Sequence, residues 1–282
     1  MPTVMNPDNF IAGGRDDDTA TAGLGQPEML VLDIDGTLVE PGRQMTERVR
    51  SALMRAYGAG CHVVLATGRA SFEVVELFRS TGLPQGLAVC SNGAVVASMP
   101  DGKILAQETF DARPVLDVLL EHVPAARVAV EIAGTGYLVT HQFPKEKLLG
   151  PQIVASLEGI CSDPVIRAVI RDPNQTSEDF RALMNKLRIR GASYAVGFEA
   201  WLDLGPLGVS KASGLEKVAS MLATDPRRAL AIGDGHNDTE MLTWAGRGVA
   251  MGHAPEELKK IADDTTLGVA QDGAAEEIEK WF

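Results

Sequence analysis

The sequence predicts an α/β fold, a mostly parallel sheet with helices between its strands, interrupted by a separate α+β unit. Three observations carry this. From Glu28, apolar runs of strand length alternate with helical periodicity. That rhythm stops near Gly93 and returns after Pro206, and the residues between read as several hairpin-like strands with two helices. The sizes agree: 28–93 and 207–282 together hold 142 residues, one ordinary α/β domain, and 94–206 hold 113, a small one.

Residues 1–27 contain Asp16-Asp17-Asp18, several glycines and scattered apolar side chains. Such a segment buries too little surface to offset its ordering entropy, so a flexible tail is expected. A regulatory arm around Phe10-Ile11 would rest on composition alone. Met29-Leu30-Val31-Leu32 is a continuous apolar run, as a strand covered on both faces requires. Thr46 can cap a helix whose apolar face is Val49, Leu53, Ala56 and Tyr57 and which stops near Gly58–Gly60. Cys61–Ala66 is the next strand, Ser71 can cap the following helix, and Gly86–Cys90 is a third strand. In the inserted stretch, Lys103–Thr109, Arg127–Ile132, Tyr137–Thr140, Pro164–Arg171, Ser193–Val196 and Trp201–Leu204 read as strands. Ala112–His122 and Glu178–Leu187 read as helices. The α/β rhythm then resumes with a helix over Ser210–Ala223, a strand Arg228–Ile232, a helix Asp238–Ala245 and a strand Gly248–Met251.

Charge and cysteine content exclude several functions. With 26 Lys+Arg against 38 Asp+Glu, the net charge of -12 argues against a general nucleic-acid binder, which gathers basic residues to neutralise phosphates. It argues equally against docking on an anionic membrane. Cys61, Cys90 and Cys161 are too few and too dispersed for a disulfide framework or a metal knuckle, and read as small buried residues in a reducing cytoplasm. No apolar run reaches the ~18 to 20 residues of a membrane span, and the N-terminus lacks the basic start and apolar stretch of a signal peptide.

Four segments carry chemistry. Asp33-Ile34-Asp35-Gly36-Thr37 follows the first strand, at the carboxyl end where open α/β sheets place functional groups. Two acids this close repel each other unless a cation or proton lies between them. Thr67-Gly68-Arg69 ends the second strand ahead of a helix, where a hydroxyl and free backbone N–H groups can hold an oxyanion. Lys211 opens the first helix after the insertion; a lone lysine there is ordinarily a solvated surface charge. Gly233-Asp234-Gly235-His236-Asn237-Asp238 is poor helix or strand material and suits a loop holding a hard cation through oxygen. One fold brings all four to one edge of the sheet. They supply a carboxylate nucleophile, a carboxylate for proton transfer, a hydroxyl and an ammonium for an anion, and carboxylates for Mg²⁺. That set suits phosphoryl transfer.

In this order the segments resemble the haloacid dehalogenase superfamily over about residues 28–282. The entry Ser91-Asn92-Gly93-Ala94, the exit Gly208-Val209-Ser210-Lys211, the tail motif Gly248–Ala254 and Asp272-Gly273-Ala274 are similar to its Cof-type branch of sugar-phosphate phosphatases. The resemblance implies a Rossmann-like three-layer core with an inserted α+β cap. It implies Asp33 as nucleophile and Asp35 as general acid and base. Mg²⁺ would be held by the Asp33 carboxylate, the Asp35 backbone carbonyl and the Asp234 carboxylate. Phosphate would be met by the backbone of Ile34, by Thr67 with the Gly68 amide, by Lys211 and by Asn237, with Asp238 orienting its neighbours. An acid at position 35 suits phosphatases and phosphomutases, whose leaving group must be protonated.

The substrate implied is a small phosphorylated metabolite, with neither nucleic acid nor membrane as partner. His236 receives no role, and His62 and His253 read as packed or surface imidazoles. In the cap, Glu199, Trp201, Tyr194 and His141 are candidate sugar contacts, although Trp201 and Tyr194 read equally well as cap core. Hinges are expected near Asn92–Val95 and Leu204–Gly208. A phosphomutase and a phosphate-binding regulator without turnover are the alternatives to the phosphatase.

Overall fold

The computed structural model describes residues 25–40, 42–144, 148–187, 191–196 and 201–282. Residues 1–24 of the expected tail, the Phe10-Ile11 pair and Glu199 lie outside the described residues.

In chain order, β1 (Met29–Leu32), α1 (Glu47–Gly58), β2 (His62–Ala66), α2 (Ser71–Thr81) and β3 (Gly86–Cys90) are followed by a hairpin, β4 (Val95–Met99) and β5 (Ile104–Gln107). A second unit then contains α3 (Arg113–His122), β6 (Arg127–Ile132), β7 (Gly136–Val139), β8 (Gln152–Val154), α4 (Leu157–Ile160), β9 (Ala168–Arg171), α5 (Ser177–Leu187), β10 (Ala192–Val196) and β11 (Trp201–Pro206). The chain returns with α6 (Lys211–Leu222), β12 (Ala229–Gly233), α7 (Thr239–Trp244), β13 (Arg247–Ala250), α8 (Glu256–Ile261), β14 (Asp264–Thr265) and α9 (Gly273–Ile278).

The first sheet runs β14-β13-β12-β1-β2-β3-β4-β5, parallel from β14 to β3 and antiparallel beyond. Successive side chains of a strand point to opposite faces. Leu30 and Leu32 therefore pack with Val49 and Leu53 of α1, Phe78 of α2 and Ile278 of α9. Met29 and Val31 pack on the other face with Leu215 and Val218 of α6, Met241 of α7 and Leu258 of α8. The result is the expected three-layer core, and it explains why β1 reads as an unbroken apolar run. β1 lies between β2 and β12, so the chain leaves it in one direction and rejoins from the other, which opens a crevice at the strands' carboxyl ends.

Two local readings change. Strand pairing carries the first sheet on to Gln107, past the Gly93/Ala94 boundary expected from sequence, because Ser91–Gly93 form a tight turn that folds β4 back on β3. Ser71 begins α2 and does not cap it: Ala70 holds the cap position, and the buried Ser71 hydroxyl has no partner among the described residues. Thr46 and Ser210 do cap their helices, accepting from the amides of Val49 and Ser213.

The second sheet runs β10-β11-β9-β6-β7-β8. One face packs Val128, Val130, Ala168, Ile170, Leu202 and Leu204 against Leu116 of α3 and Phe180 of α5. The other face presents Ala129, Tyr137, Val139 and Val169 to Ala70 and Phe72 of the first domain. Trp201 lies on this second face, edge-on to Phe143, while Tyr194 and His141 are exposed. Cys61 and Cys90 are buried free thiols and Cys161 is half-buried; burial pushes the Cys61 thiol up to about 12. No helix among the described residues is long and apolar enough to cross a membrane.

Candidate active site

β1 ends at Leu32, and the Asp33 amide bonds to the Ile232 carbonyl of β12, so Asp33 leaves the sheet at the crevice. Ile34 is buried, and its carbonyl accepts the amides of Leu38 and Val39, which winds residues 34–39 into a tight loop. Gly36 sits at φ +89°, and a Cβ there would collide with the Asp234 carboxylate. Only glycine lets these two loops close on each other.

Lys211 is 1% exposed, against the surface charge its sequence context suggests. It is the first residue of α6, held in place by the reciprocal bonds of Ser210 and Ser213. Its Nζ lies 2.5 Å from Asp33 Oδ1 and 2.6 Å from Asp238 Oδ1. Burial by itself would lower the pKa of this ammonium, but the carboxylates of Asp238 and Asp33 outweigh it and raise the pKa. Asp238 Oδ2 accepts the amides of Asp234 and Gly235 at 3.0 and 2.9 Å, so both its oxygens are engaged. Burial pushes the Asp33 carboxyl well up; Lys211 opposes this, and Asp238 and Asp234 reinforce it.

Asp35 is exposed and gripped at both oxygens by Arg69, at 2.7 Å from Nε and 2.5 Å from Nη2. The cation that relieves the Asp33/Asp35 pair is therefore a guanidinium on the Asp35 side, a role that sequence reading did not give to Arg69 although it noted the Thr67-Gly68-Arg69 segment. The buried Thr67 hydroxyl accepts the Arg69 amide at 3.1 Å. Asn92 was also missed: its amide bonds to the Thr67 carbonyl, and its Oδ1 accepts Asn237 Nδ2 at 2.9 Å, within 3.3 Å of where a Gly68 Cβ would stand. Thr67, Gly68, Asn92 and Asn237 thus form one polar rim. The structure brings Asp33, Ile34, Asp35, Thr67, Gly68, Lys211, Asp234, Asn237 and Asp238 to this edge of the sheet, whereas Trp201, Tyr194 and His141 belong to the second unit, Trp201 packed on Phe143 and the other two exposed.

Carboxylate oxygens of Asp33, Asp234 and Asp238 lie within 4.8 Å of one another. Thr37 Oγ1 donates to Asp234 Oδ1 at 3.2 Å, and His253 Nε2 lies 3.4 Å from Asp234 Oδ2. Burial, then Asp238, raises the Asp234 pKa, which His253 opposes. The raised carboxyls of Asp33 and Asp234 and the all-oxygen donor set fit a hard divalent cation. Asp35 adds no carboxylate to this group, since Arg69 holds it. His62 and His236 are exposed, as is His253 despite its place beside Asp234.

A family model for haloacid dehalogenase-like hydrolases matches residues 30–278. The chain belongs to the haloacid dehalogenase superfamily. It is a hydrolase of the Cof-type branch. It is 28% identical to the phosphatase YwpJ of Bacillus subtilis, over 88% of this chain and 97% of that one. It is 31% identical to a phosphoglycolate phosphatase of Natronomonas pharaonis, over 89% and 96%. Among solved structures, the superfamily phosphatase BT1666 of Bacteroides thetaiotaomicron superposes with a TM-score of 0.76 at 26% identity, over 92% of this chain and 97% of that one.

In this haloacid dehalogenase-like hydrolase the second sheet meets the core through a buried polar seam. Arg167 Nη1 donates to the Gly68 carbonyl at 2.6 Å and Nη2 to Tyr137 Oη at 2.8 Å, while Nε is 3.1 Å from Glu131 Oε2. Tyr137 Oη donates to Glu73 Oε1 at 2.7 Å, and Ser91 Oγ lies 2.8 and 2.7 Å from the Glu131 oxygens. Asp203 Oδ1 stands 3.7 Å from Arg167.

Proposed function

We propose that this hydrolase is a Mg²⁺-dependent phosphatase of a small phosphorylated metabolite, a sugar phosphate being the class the branch suggests. The carrying observation is the buried Lys211, whose ammonium joins Asp33 to Asp238 beside Asp234 and the Thr67 rim. Bound Mg²⁺ would be held by the Asp33 and Asp234 carboxylates and the Asp35 carbonyl, and would neutralise charge on the transferring phosphoryl group. Lys211, Thr67, the amides of Ile34 and Gly68, and Asn237 would hold the phosphate oxygens, and Asp238 would keep Lys211 and the Asp234 loop in register.

Asp33 attacks phosphorus in line, and the bond to the leaving oxygen breaks as Asp35 protonates it. This leaves an aspartyl-phosphate. Asp35 then takes a proton from water, which attacks phosphorus and regenerates Asp33 with release of inorganic phosphate. A proton on one Asp35 oxygen requires that one of the two Arg69 bonds open, so Arg69 orients Asp35 through the other during both transfers. The inserted unit, 94–206 by the sequence reading, serves as a cap that excludes water and contacts the substrate beyond its phosphate. The free cysteines and the acidic charge of the whole chain fit a cytoplasmic enzyme with neither nucleic acid nor membrane as partner.

The test is phosphate release from a panel of phosphorylated metabolites with Mg²⁺. Turnover should be lost with chelator and in Asp33→Asn. Activity surviving Asp33→Asn sinks the reading, and phosphate moved within a substrate under a bisphosphate activator would point to a mutase.

A further inference from the structure

The cap face that meets the core is apolar at Ala129, Val139 and Val169, yet Tyr137, Glu131 and Arg167 form one polar rung across it. Register causes this. Tyr137 pairs directly with Glu131 across β7 and β6, and the Glu131 amide bonds to the Arg167 carbonyl one step beyond the Val130/Ala168 pair of β6 and β9. The three side chains therefore stand side by side on one face. Replacing a buried ion pair by well-packed apolar residues is often neutral or stabilising, so such a pair is weak as a stability device. Its contacts show another use.

Both members of the pair reach past the cap to core loops that carry the proposed phosphate site. Arg167 bonds to the carbonyl of Gly68. The same peptide unit carries the Arg69 amide, which donates to Thr67 Oγ1. A charged donor on that carbonyl fixes the peptide plane, and with it the Thr67 hydroxyl and the base of the Arg69 side chain that grips Asp35. Glu131 holds Ser91, which stands at φ +50°, a left-handed conformation unfavourable for a residue with a Cβ. The Ser91 amide bonds to the Arg69 carbonyl, and the next residue, Asn92, bonds to Thr67 and Asn237.

We propose that Arg167 and Glu131 are positioning residues by which the seated cap sets the phosphate-binding loops, Arg167 through the Gly68 carbonyl and Glu131 through the Ser91 hydroxyl. An unseated cap withdraws both bonds, so the loops reach their working geometry only under a closed cap. The catalytic consequence rests on the phosphatase reading; the coupling of cap to loops does not.

The experiment compares Arg167→Met, Arg167→Lys and Ser91→Ala with the wild type, each first shown to unfold cooperatively. Amide hydrogen exchange at residues 68–70 and 91–93 is read in every variant. The coupling predicts exchange on the order of tenfold faster at both loops in Arg167→Met, with partial recovery in Arg167→Lys, and faster exchange at 91–93 in Ser91→Ala. Wild-type exchange at both loops in a folded Arg167→Met overturns it. With the best substrate of the panel, kcat should fall about ten- to hundredfold in Arg167→Met while KM moves less than threefold. An unchanged kcat, or a loss confined to KM, overturns the positioning role. A wild type that releases no phosphate from any substrate defeats the phosphatase reading, and the exchange result still decides the coupling.

Discussion

Two of the buried cations among the described residues, Lys211 and Arg167, differ in what they join. Lys211 joins loops of one domain: Asp33 after β1 and Asp238 after β12, both anchored in the same sheet. Arg167 joins two domains, with Glu131, Tyr137 and Asp203 on its own sheet and Gly68 across the seam. A compact ammonium on a flexible stem suits the first task, where two oxygens converge on one point. The planar fork of a guanidinium suits the second, where partners lie in several directions. The first arrangement contains no residue of the cap, whereas the second needs cap and core in contact. The difference teaches that charge burial can build a site or report on its closure.

The largest break in this comparison is Lys211→Met. It leaves Asp33 and Asp238 buried without their cation, which costs on the order of 3–5 kcal/mol, so the urea midpoint should fall sharply as turnover disappears. Asp33→Asn should abolish turnover in the opposite thermodynamic setting. Its carboxyl is already held well above the ordinary value by burial, so the neutral amide relieves a penalty in metal-free protein. The thermal midpoint without metal should hold or rise; a fall of several degrees would show that Asp33 stabilises the fold through Lys211 more than burial opposes it.

Asp33 and its partners were legible in the sequence because each lies within a few positions of a strand end or helix start, whereas the burial of Lys211 ran against its local context and its role came from the family resemblance. Asp33, Thr67, Asp234 and Asn237 needed only that β1, β2 and β12 be neighbours. Arg69 and Asn92 lay inside segments already noted, yet their partners, Asp35 and Asn237, belong to other loops, and which of them each would meet depends on how those loops fold against one another. The Arg167 rung was not legible at all. Glu131 and Arg167 are single charges in apolar strands, a visible signal, but pairing them requires the register of β6 on β9. The same limit hid β4, whose pairing with β3 follows from the left-handed turn at Ser91–Gly93.

Metal addition should sharpen the comparison next, because it acts on one cluster only. Mg²⁺ in excess should raise the thermal midpoint of the wild type, by about 2.7 kcal/mol of added stability at a hundred times Kd. Asp234→Asn should lose most of that gain, while Arg167→Met should keep it. Equal shifts in Asp234→Asn and wild type would remove Asp234 from the metal set.

Arg69→Met comes below these in effect, since it releases Asp35 without uncovering a buried charge. A kcat loss of about ten- to hundredfold is expected, at or below the low end of the ~10²–10⁴-fold that general acid–base catalysis contributes, with KM nearly unchanged. A wild-type kcat across the pH range would show that Asp35 needs no clamp.

The smallest effect concerns pH and separates the seam from the site. Glu131 is pushed up chiefly by burial, with Arg167 and Ser91 opposing and Asp203 reinforcing; Glu73 is likewise raised by burial, and burial lifts Asp203 as well. Facing Glu131 are therefore one guanidinium, the Tyr137 phenol, the Ser91 hydroxyl and two further carboxyls. A carboxyl with a raised folded pKa contributes stability that is fully present below its unfolded value, ~4.3 for Glu, and is lost as pH rises through the folded value. Glu131→Gln abolishes that loss at its own position. It also removes the charge that helps raise Glu73, a contribution of the same sign. The stability of Glu131→Gln relative to wild type should increase as pH rises above ~4.3, measured as urea midpoints at pH 5 and pH 8. A relative stability that falls over this interval would mean that the ion pair with Arg167 outweighs burial, making the seam a second stabilising cluster in the manner of Lys211.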